Sequence, residues 1–154
     1  MTKDFSKKLE RKKHNGYKKA TIIVHSGGFD KIMSAFIIGN GYLSMGVSVT
    51  LFFTFWGLSA LKKSGFKKAL LPRKNFFGLS RYMIKQKMKK YNVASLNDLA
   101  ENYKKLGGTI IACTMTMELM DVKEEELRED LVDEYGTVGK FCYESKDSDV
   151  TLFI

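Results

Sequence analysis

The chain has 154 residues, of which 44% are hydrophobic and 12% aromatic, enough for one globular core and too few for two. That apolar content excludes a disordered chain, and a single proline among 13 glycines excludes collagenous and low-complexity classes. The formal charge of +9 invites a reading as a nucleic-acid binder, but its distribution weakens that reading. Residues 1–19 carry +6, residues 20–61 are neutral, residues 62–90 carry +11 and residues 91–154 carry −8. The last two segments are complementary, so they are expected to neutralise each other within or between subunits.

Residues 1–17 read as a Lys-rich extension without an apolar stripe, and residues 18–154 as one folded domain. Ala20–His25 is a short apolar run closed by Ser26-Gly27-Gly28, which predicts a buried strand leaving the sheet through a tight turn. Phe29 to Met45 places Ile32, Met33, Phe36, Ile37 and Tyr42 near helical spacing, and Gly46 stops it. Val47 to Phe55 is branched and aromatic, as suits a buried strand, and Trp56 to Lys63 begins another helix. The 30 residues from Ile32 to Leu61 carry no charge, longer than the ~20 that span a bilayer, yet Gly39, Asn40, Gly41, Ser44 and Gly46 interrupt them. A buried helix, a turn and a buried strand fit better than a membrane span.

Residues 64–77 hold Pro72, the only proline, and read as a loop or lid. Leu79 to Tyr91 reads as a basic amphipathic helix. Ser95 and Asp98 have capping-box spacing, and the helix they open ends at Gly107-Gly108. Thr109–Cys113 is the third strand. Met115–Met120 and the acidic stretch Lys123–Glu134 read as helical, Thr137–Tyr143 as a fourth strand and Val150–Phe153 as a short fifth. Strands alternating with helices predict an α/β fold with a parallel sheet covered on both faces.

In such a sheet, ligands bind beyond the carboxyl ends of the strands. The residues expected there are His25, Ser26, Gly27, Gly28 and Asp30 after strand one, Thr54 and Trp56 after strand two, and Cys113 after strand three. Cys113 should lie beside the first amides of the next helix, near Thr114, Met115 and Thr116, a position that favours the nucleophilic thiolate. It reads equally as a small buried apolar residue. Cys142 is a second thiol if the fourth strand brings it close, and otherwise structural. His25 is a polar handle or a structural histidine. Ser26-Gly27-Gly28 is an anion-cradling turn or simply a tight connection. Trp56, with Phe52, Phe53 and Phe55, either walls a pocket or joins the core, and Met115, Met117 and Met120 either line a soft surface or pack. Neither the two cysteines nor His14 and His25 show metal-ligand spacing, and no cofactor motif is present. Two cysteines and a charged N-terminus without a signal-peptide pattern fit a reducing, cytoplasmic setting.

The segment Ile110-Ile111-Ala112-Cys113-Thr114-Met115-Thr116-Met117-Glu118-Leu119-Met120-Asp121-Val122 resembles the cysteine motif of the peroxiredoxin-like branch of the DsrE/DsrF/DsrH family. The stretches ATIIVHSGGFDK, VTLFFTFWGLSALKK and the terminal VTLFI resemble the same branch, so the likeness covers residues 18–154. It implies a flavodoxin-like, three-layer α/β domain with a five-stranded parallel sheet, commonly assembled into trimers or larger rings. It also implies sulfur trafficking, with sulfane sulfur accepted on Cys113, which maps to the motif cysteine, and exchanged with TusA-type carriers or rhodaneses. Asp121 stands where glycine is frequent in that motif, a surface change.

The first functional reading is therefore a cytoplasmic sulfur-transfer protein, either a stoichiometric carrier or a thiol-dependent sulfurtransferase. In it, the amides near residues 114–117, helped by Ser26–Gly28, hold an anionic adduct, and the basic segment attracts an anionic donor. The second is a non-catalytic binding or assembly subunit that uses the basic segments to hold a partner protein or nucleic acid. Nucleic acid is the weaker partner because no aromatic-basic recognition motif accompanies the charge. A flavin or nucleotide protein is a third reading, by fold analogy alone.

Overall fold

The computed structural model describes residues 16–69, 86, 90–91 and 93–154. In chain order these form β1 (Lys19–Val24), α1 (Phe29–Ser44), β2 (Ser48–Phe53), α2 (Phe55–Leu58), a 3-10 turn (Ser59–Leu61), α3 (Gly65–Lys68), α4 (Leu96–Lys105), β3 (Thr109–Cys113), α5 (Thr114–Leu119), a 3-10 turn (Glu124–Glu126), β4 (Glu134–Gly136), α6 (Val138–Ser145) and β5 (Val150–Phe153). The strands form one five-stranded sheet in the order β4-β3-β2-β1-β5, with every pairing parallel. The expected α/β fold and parallel sheet are thus present. The uncharged run from Ile32 resolves into helix, turn and strand, and no helix of the described residues is long and apolar enough to cross a membrane.

Alternation along the strands sorts side chains between two faces. Ile22, Val24, Leu51, Phe53, Ile110 and Ala112 face α1 and α4 and make the main core. The buried stripe of α1 runs through Ile32, Ala35, Phe36, Gly39 and Asn40, whereas Ile37, expected inside, is half exposed. The displacement has a cause in Tyr103 of α4. Its fully buried ring lies so close that a Cβ on Gly39 would approach it to 2.8 Å, and one on Gly108 to 2.3 Å. The Tyr103 hydroxyl donates toward the carbonyls of Val49 (2.8 Å) and Thr109 (3.0 Å), tying together the starts of β2 and β3. Burial pushes this phenol far above its ordinary range, so it remains a donor. Asn40 completes the contact by donating to the Leu99 carbonyl (2.9 Å) and accepting from Asn102 (3.0 Å).

Helix ends follow the expected chemistry. The Ser95 hydroxyl accepts from the Asp98 amide and the Asp98 carboxylate accepts from the Ser95 amide, a complete capping box at the start of α4. Among the described residues three helices end in the same Schellman arrangement, with the bonds Val47 to Tyr42, Gly108 to Tyr103 and Val122 to Met117. The left-handed residue is glycine in the first two, Gly46 (φ 80°) and Gly107 (φ 84°), but aspartate in the third, Asp121 (φ 48°). The exposed Asp121 is therefore a backbone change as well as the expected surface change.

Two expected elements differ. Thr137–Tyr143 is not a strand: β4 ends at Gly136, and residues from Val138 form α6. The Lys140–Glu144 pair at i, i+4 (3.3 Å) supports the helical form against the strand preference of the branched and aromatic residues. Lys123–Glu134 is not a continuous helix but one 3-10 turn, an antiparallel bridge from Leu127 to Lys62, and β4. A helix there would set Glu125 against Glu129 and Glu126 against Asp130 at i, i+4, which is repulsive. The acids are used individually instead. Glu126 pairs with Lys62 (3.1 Å), Asp130 with Arg128 (2.6 Å) and Asp133 with Lys104. The Lys62–Glu126 pair shows the basic and acidic segments meeting within one chain. The extension over residues 1–15, with His14, and most of the expected loop and helix across 64–91 lie outside the described residues.

Candidate functional site

At the carboxyl end of the sheet the connections after β1 and β2 interlock through their backbones. The Gly57 amide donates to the His25 carbonyl (2.8 Å) and the Thr54 amide to the Val24 carbonyl (3.0 Å). A Cβ on Gly57 would come within 2.0 Å of the Val24 oxygen, and one on Gly27 within 2.5 Å of the Trp56 oxygen. Gly27 is thus required by close backbone packing, which answers half of the question posed by the Ser26-Gly27-Gly28 turn. Gly28 is the N-cap of α1 in extended conformation.

A cleft of about 550 Å³ opens here, lined by His25, Ser26, Gly27, Gly28 and Trp56 together with Ser59, Ala60, Gly65, Lys68 and Ala69. Five expected pocket residues are brought together in it. Cys113, Thr114, Met115 and Thr116 do not line it. Trp56, 65% exposed, stands as a wall rather than as core.

Phe55, the first residue of α2, has φ 44°, a conformation that costs a bulky side chain on the order of 1–3 kcal/mol. A small network holds it. The Thr54 and Thr116 hydroxyls are 2.9 Å apart in the interior, and the Phe55 amide donates to Thr116 Oγ1 (3.2 Å). Thr116, expected near an anion, spends its hydroxyl on this network. The strained residue stacks on His25 (5.0 Å between ring centroids), whose other neighbour is Phe153 (5.3 Å). His25 is thereby the centre of an aromatic stack, with Phe55 and Phe153 exposed.

Cys113 closes β3 and is the N-cap residue of α5, so its expected place beside a helix start is correct. It is also completely buried, with Phe52 and Ile111, on the sheet face opposite the main core. Among the described residues, the half-buried hydrophobic packed on this cluster is Phe141 of α6, whose ring lies 5.3 Å from that of Phe52. Sequence reading missed Phe141 because its segment looked like a strand. The i, i+4 charge pair beside it was the available signal. Cys142 follows Phe141 directly and is exposed on α6, a helix and not the fourth strand on which its reading as a second thiol was conditional, and its exposure does not fit the alternative of a structural cysteine. The three methionines also part company. Met115 is exposed, Met117 is in the main core and Met120 packs against it. Among the described residues no three of His, Cys, Asp and Glu gather as a metal site would need.

Residues 16–70 and 64–153 match the sequence pattern of the DsrE/DsrF/DrsH-like family. The chain belongs to that family. This DsrE-like chain is 37% identical to the uncharacterized protein YrkE of Bacillus subtilis, across 89% of its own length and 97% of that protein. It is 31% identical to the sulfur carrier protein DsrE2 of Allochromatium vinosum, across 89% of itself and 98% of that protein. Two solved structures share the DsrE-like fold. The E. coli protein ychN aligns with a TM-score of 0.55 at 13% identity, over 89% of this chain and 99% of that one. The protein MTH1491 of Methanobacterium thermoautotrophicum aligns at 0.53 and 9% identity, over 87% and 97%.

Proposed function

We propose that this protein is a sulfur carrier in which Cys113 accepts sulfane sulfur and passes it to a partner thiol. The observation that supports this most directly is the end-to-end similarity, at 31% identity, to a protein named as a sulfur carrier. The Cys113 thiolate attacks the terminal sulfur of a polysulfide. A new S–S bond forms, the donor's S–S bond breaks, and the shortened donor leaves as a thiolate. The resulting persulfide gives up its outer sulfur to an acceptor thiolate by the same exchange, which regenerates Cys113 without net oxidation. With tetrathionate as donor the thiolate attacks one of the two central sulfurs, the central S–S bond breaks, thiosulfate leaves and a thiosulfonate remains on Cys113. Cys113 does not line the cleft, so in this reading His25, Ser26, Gly27, Gly28 and Trp56 take no part in the sulfur step.

TusA-type carriers or rhodaneses are the exchange partners in this reading, in a reducing cytoplasm suited to two free thiols. Assembly as a homotrimer or larger ring belongs to the same proposal. Its support is the exposure of Phe55 and Phe153 on either side of His25, with Trp56 exposed beside Phe55 in the chain.

The test is peptide mass mapping after incubation with polysulfide and alkylation of the products. The expected result is a Cys113 peptide heavier by one sulfur atom. An unmodified Cys113, with sulfur on Cys142 only or on neither thiol, would overturn the proposal.

A further inference from the structure

Cys113 has no exposed surface, so any chemistry at its sulfur requires part of the fold to move. The elements around it are held very differently. Cys113 ends a strand paired on both sides, to β2 and to β4. Helix α6, by contrast, has no fully buried residue along its length from Val138 to Ser145. Its apolar anchor is Phe141 on Phe52 (5.3 Å). Its other ties to the rest of the fold are two partly exposed ion pairs, Lys140 to Glu134 (2.8 Å) and Lys19 to Glu144 (2.9 Å), and a hydrogen bond from Ser148 Oγ to the Glu144 carbonyl (3.2 Å), while Lys140 and Glu144 also pair within the helix (3.3 Å). Partly exposed ion pairs of this kind contribute little each, and elements with few buried contacts open locally far more often than the whole chain unfolds.

We infer that α6 is the gate to Cys113, with Phe141 as its plug, and that sulfur enters by local displacement of this helix rather than through the 550 Å³ cleft. The inference deepens the carrier reading and rests on it for its purpose, but it concerns access and has its own readout. Cys142, exposed on the gate itself, is a built-in control thiol.

The experiment is alkylation of the full chain with iodoacetamide, following each cysteine by peptide mapping across a range of urea below the unfolding transition. Cys142 should react at once. Cys113 should react slowly, at a rate nearly independent of urea, because a local opening exposes little new surface. A Cys113 rate that climbs with the full urea dependence of global unfolding would overturn the gate. Phe141→Ala should accelerate Cys113 by about five- to thirtyfold and leave Cys142 unchanged, whereas an unchanged Cys113 rate in the folded variant contradicts the assignment. If Phe141→Ala does not fold, Lys140→Ala, which removes the pairs to Glu134 and Glu144, should accelerate Cys113 several-fold by the same weakening of the closed state, and no acceleration there sinks the idea. Polysulfide uptake separates the two claims. Gated alkylation of a Cys113 that takes no sulfur leaves the gate standing and removes the carrier function, and sulfur uptake insensitive to Phe141 does the reverse.

Discussion

The two faces of the sheet are built to different standards. On one, α1 and α4 close over a core in which Phe36, Phe53 and Tyr103 are fully buried, glycines at 39 and 108 make room for the Tyr103 ring, and the Asn40 side-chain amide bonds across to α4. On the other, the buried apolar cluster among the described residues is Phe52, Ile111 and Cys113, under a helix that buries nothing completely. The first face holds the domain together. On the gate inference, the second is the face that opens, with the half-buried Phe141 over the cluster that holds Cys113.

The largest effect that would sharpen this contrast is Tyr103→Ala. It removes a ring clamped between two helices and a donor shared by two strand carbonyls, and should cost about 3–5 kcal/mol. Urea unfolding should show the transition midpoint collapse or the fold lost. The counterpart on the weak face, Phe141→Ala, should cost only about 1–2 kcal/mol, since its ring is half buried. A loss as large as that at Tyr103 would erase the distinction between the faces.

A smaller effect belongs to Ser95→Ala, which removes the hydroxyl half of the capping box of α4 and should cost about 1 kcal/mol at neutral pH. Hydrogen bonds from Ser95 hold the Asp98 carboxyl below its ordinary value of 3.8. A depressed carboxyl contributes stability that is complete above that ordinary value and is lost as pH falls through the lower native one. The gap in thermal midpoint between wild type and Ser95→Ala should therefore be largest at neutral pH and narrow in strong acid. A gap that widened on acidification would contradict the assignment. The smallest effect is a gain: Asp121→Gly, in the one Schellman turn of the three without glycine, should stabilise by about 0.5 kcal/mol, as the relief of a left-handed side chain outweighs the added chain entropy.

Much of this architecture was readable from the chain because local rules and tertiary packing agree there. Gly46, Gly107 and the Ser95/Asp98 pair mark helix ends by backbone chemistry that needs no partner, and ATIIV and TIIAC are short, branched apolar runs of the kind that suits buried strands. Where the reading failed, long-range packing decided. Ile37 looked like a core residue because Gly39 and Asn40 do not look apolar, yet the stripe passes through them to admit Tyr103. Val138, Phe141 and Tyr143 suggested a strand by type, while the Lys140–Glu144 spacing was the quieter and correct signal. The place of Cys113 at the end of a strand and the start of a helix was legible. Its complete burial was not, since the cluster it shares with Phe52 and Ile111 is packed by Phe141, which returns from a separate helix 28 positions after Cys113.

The most direct test of the account is sulfur uptake by the single-thiol variants Cys142→Ser and Cys113→Ser, each incubated with polysulfide, washed free of donor and offered a small acceptor thiol. Cys142→Ser should retain one transferable sulfur per chain and release it to the acceptor, while Cys113→Ser retains none. Undiminished uptake and release by Cys113→Ser would contradict the assignment of the sulfur to the buried cysteine.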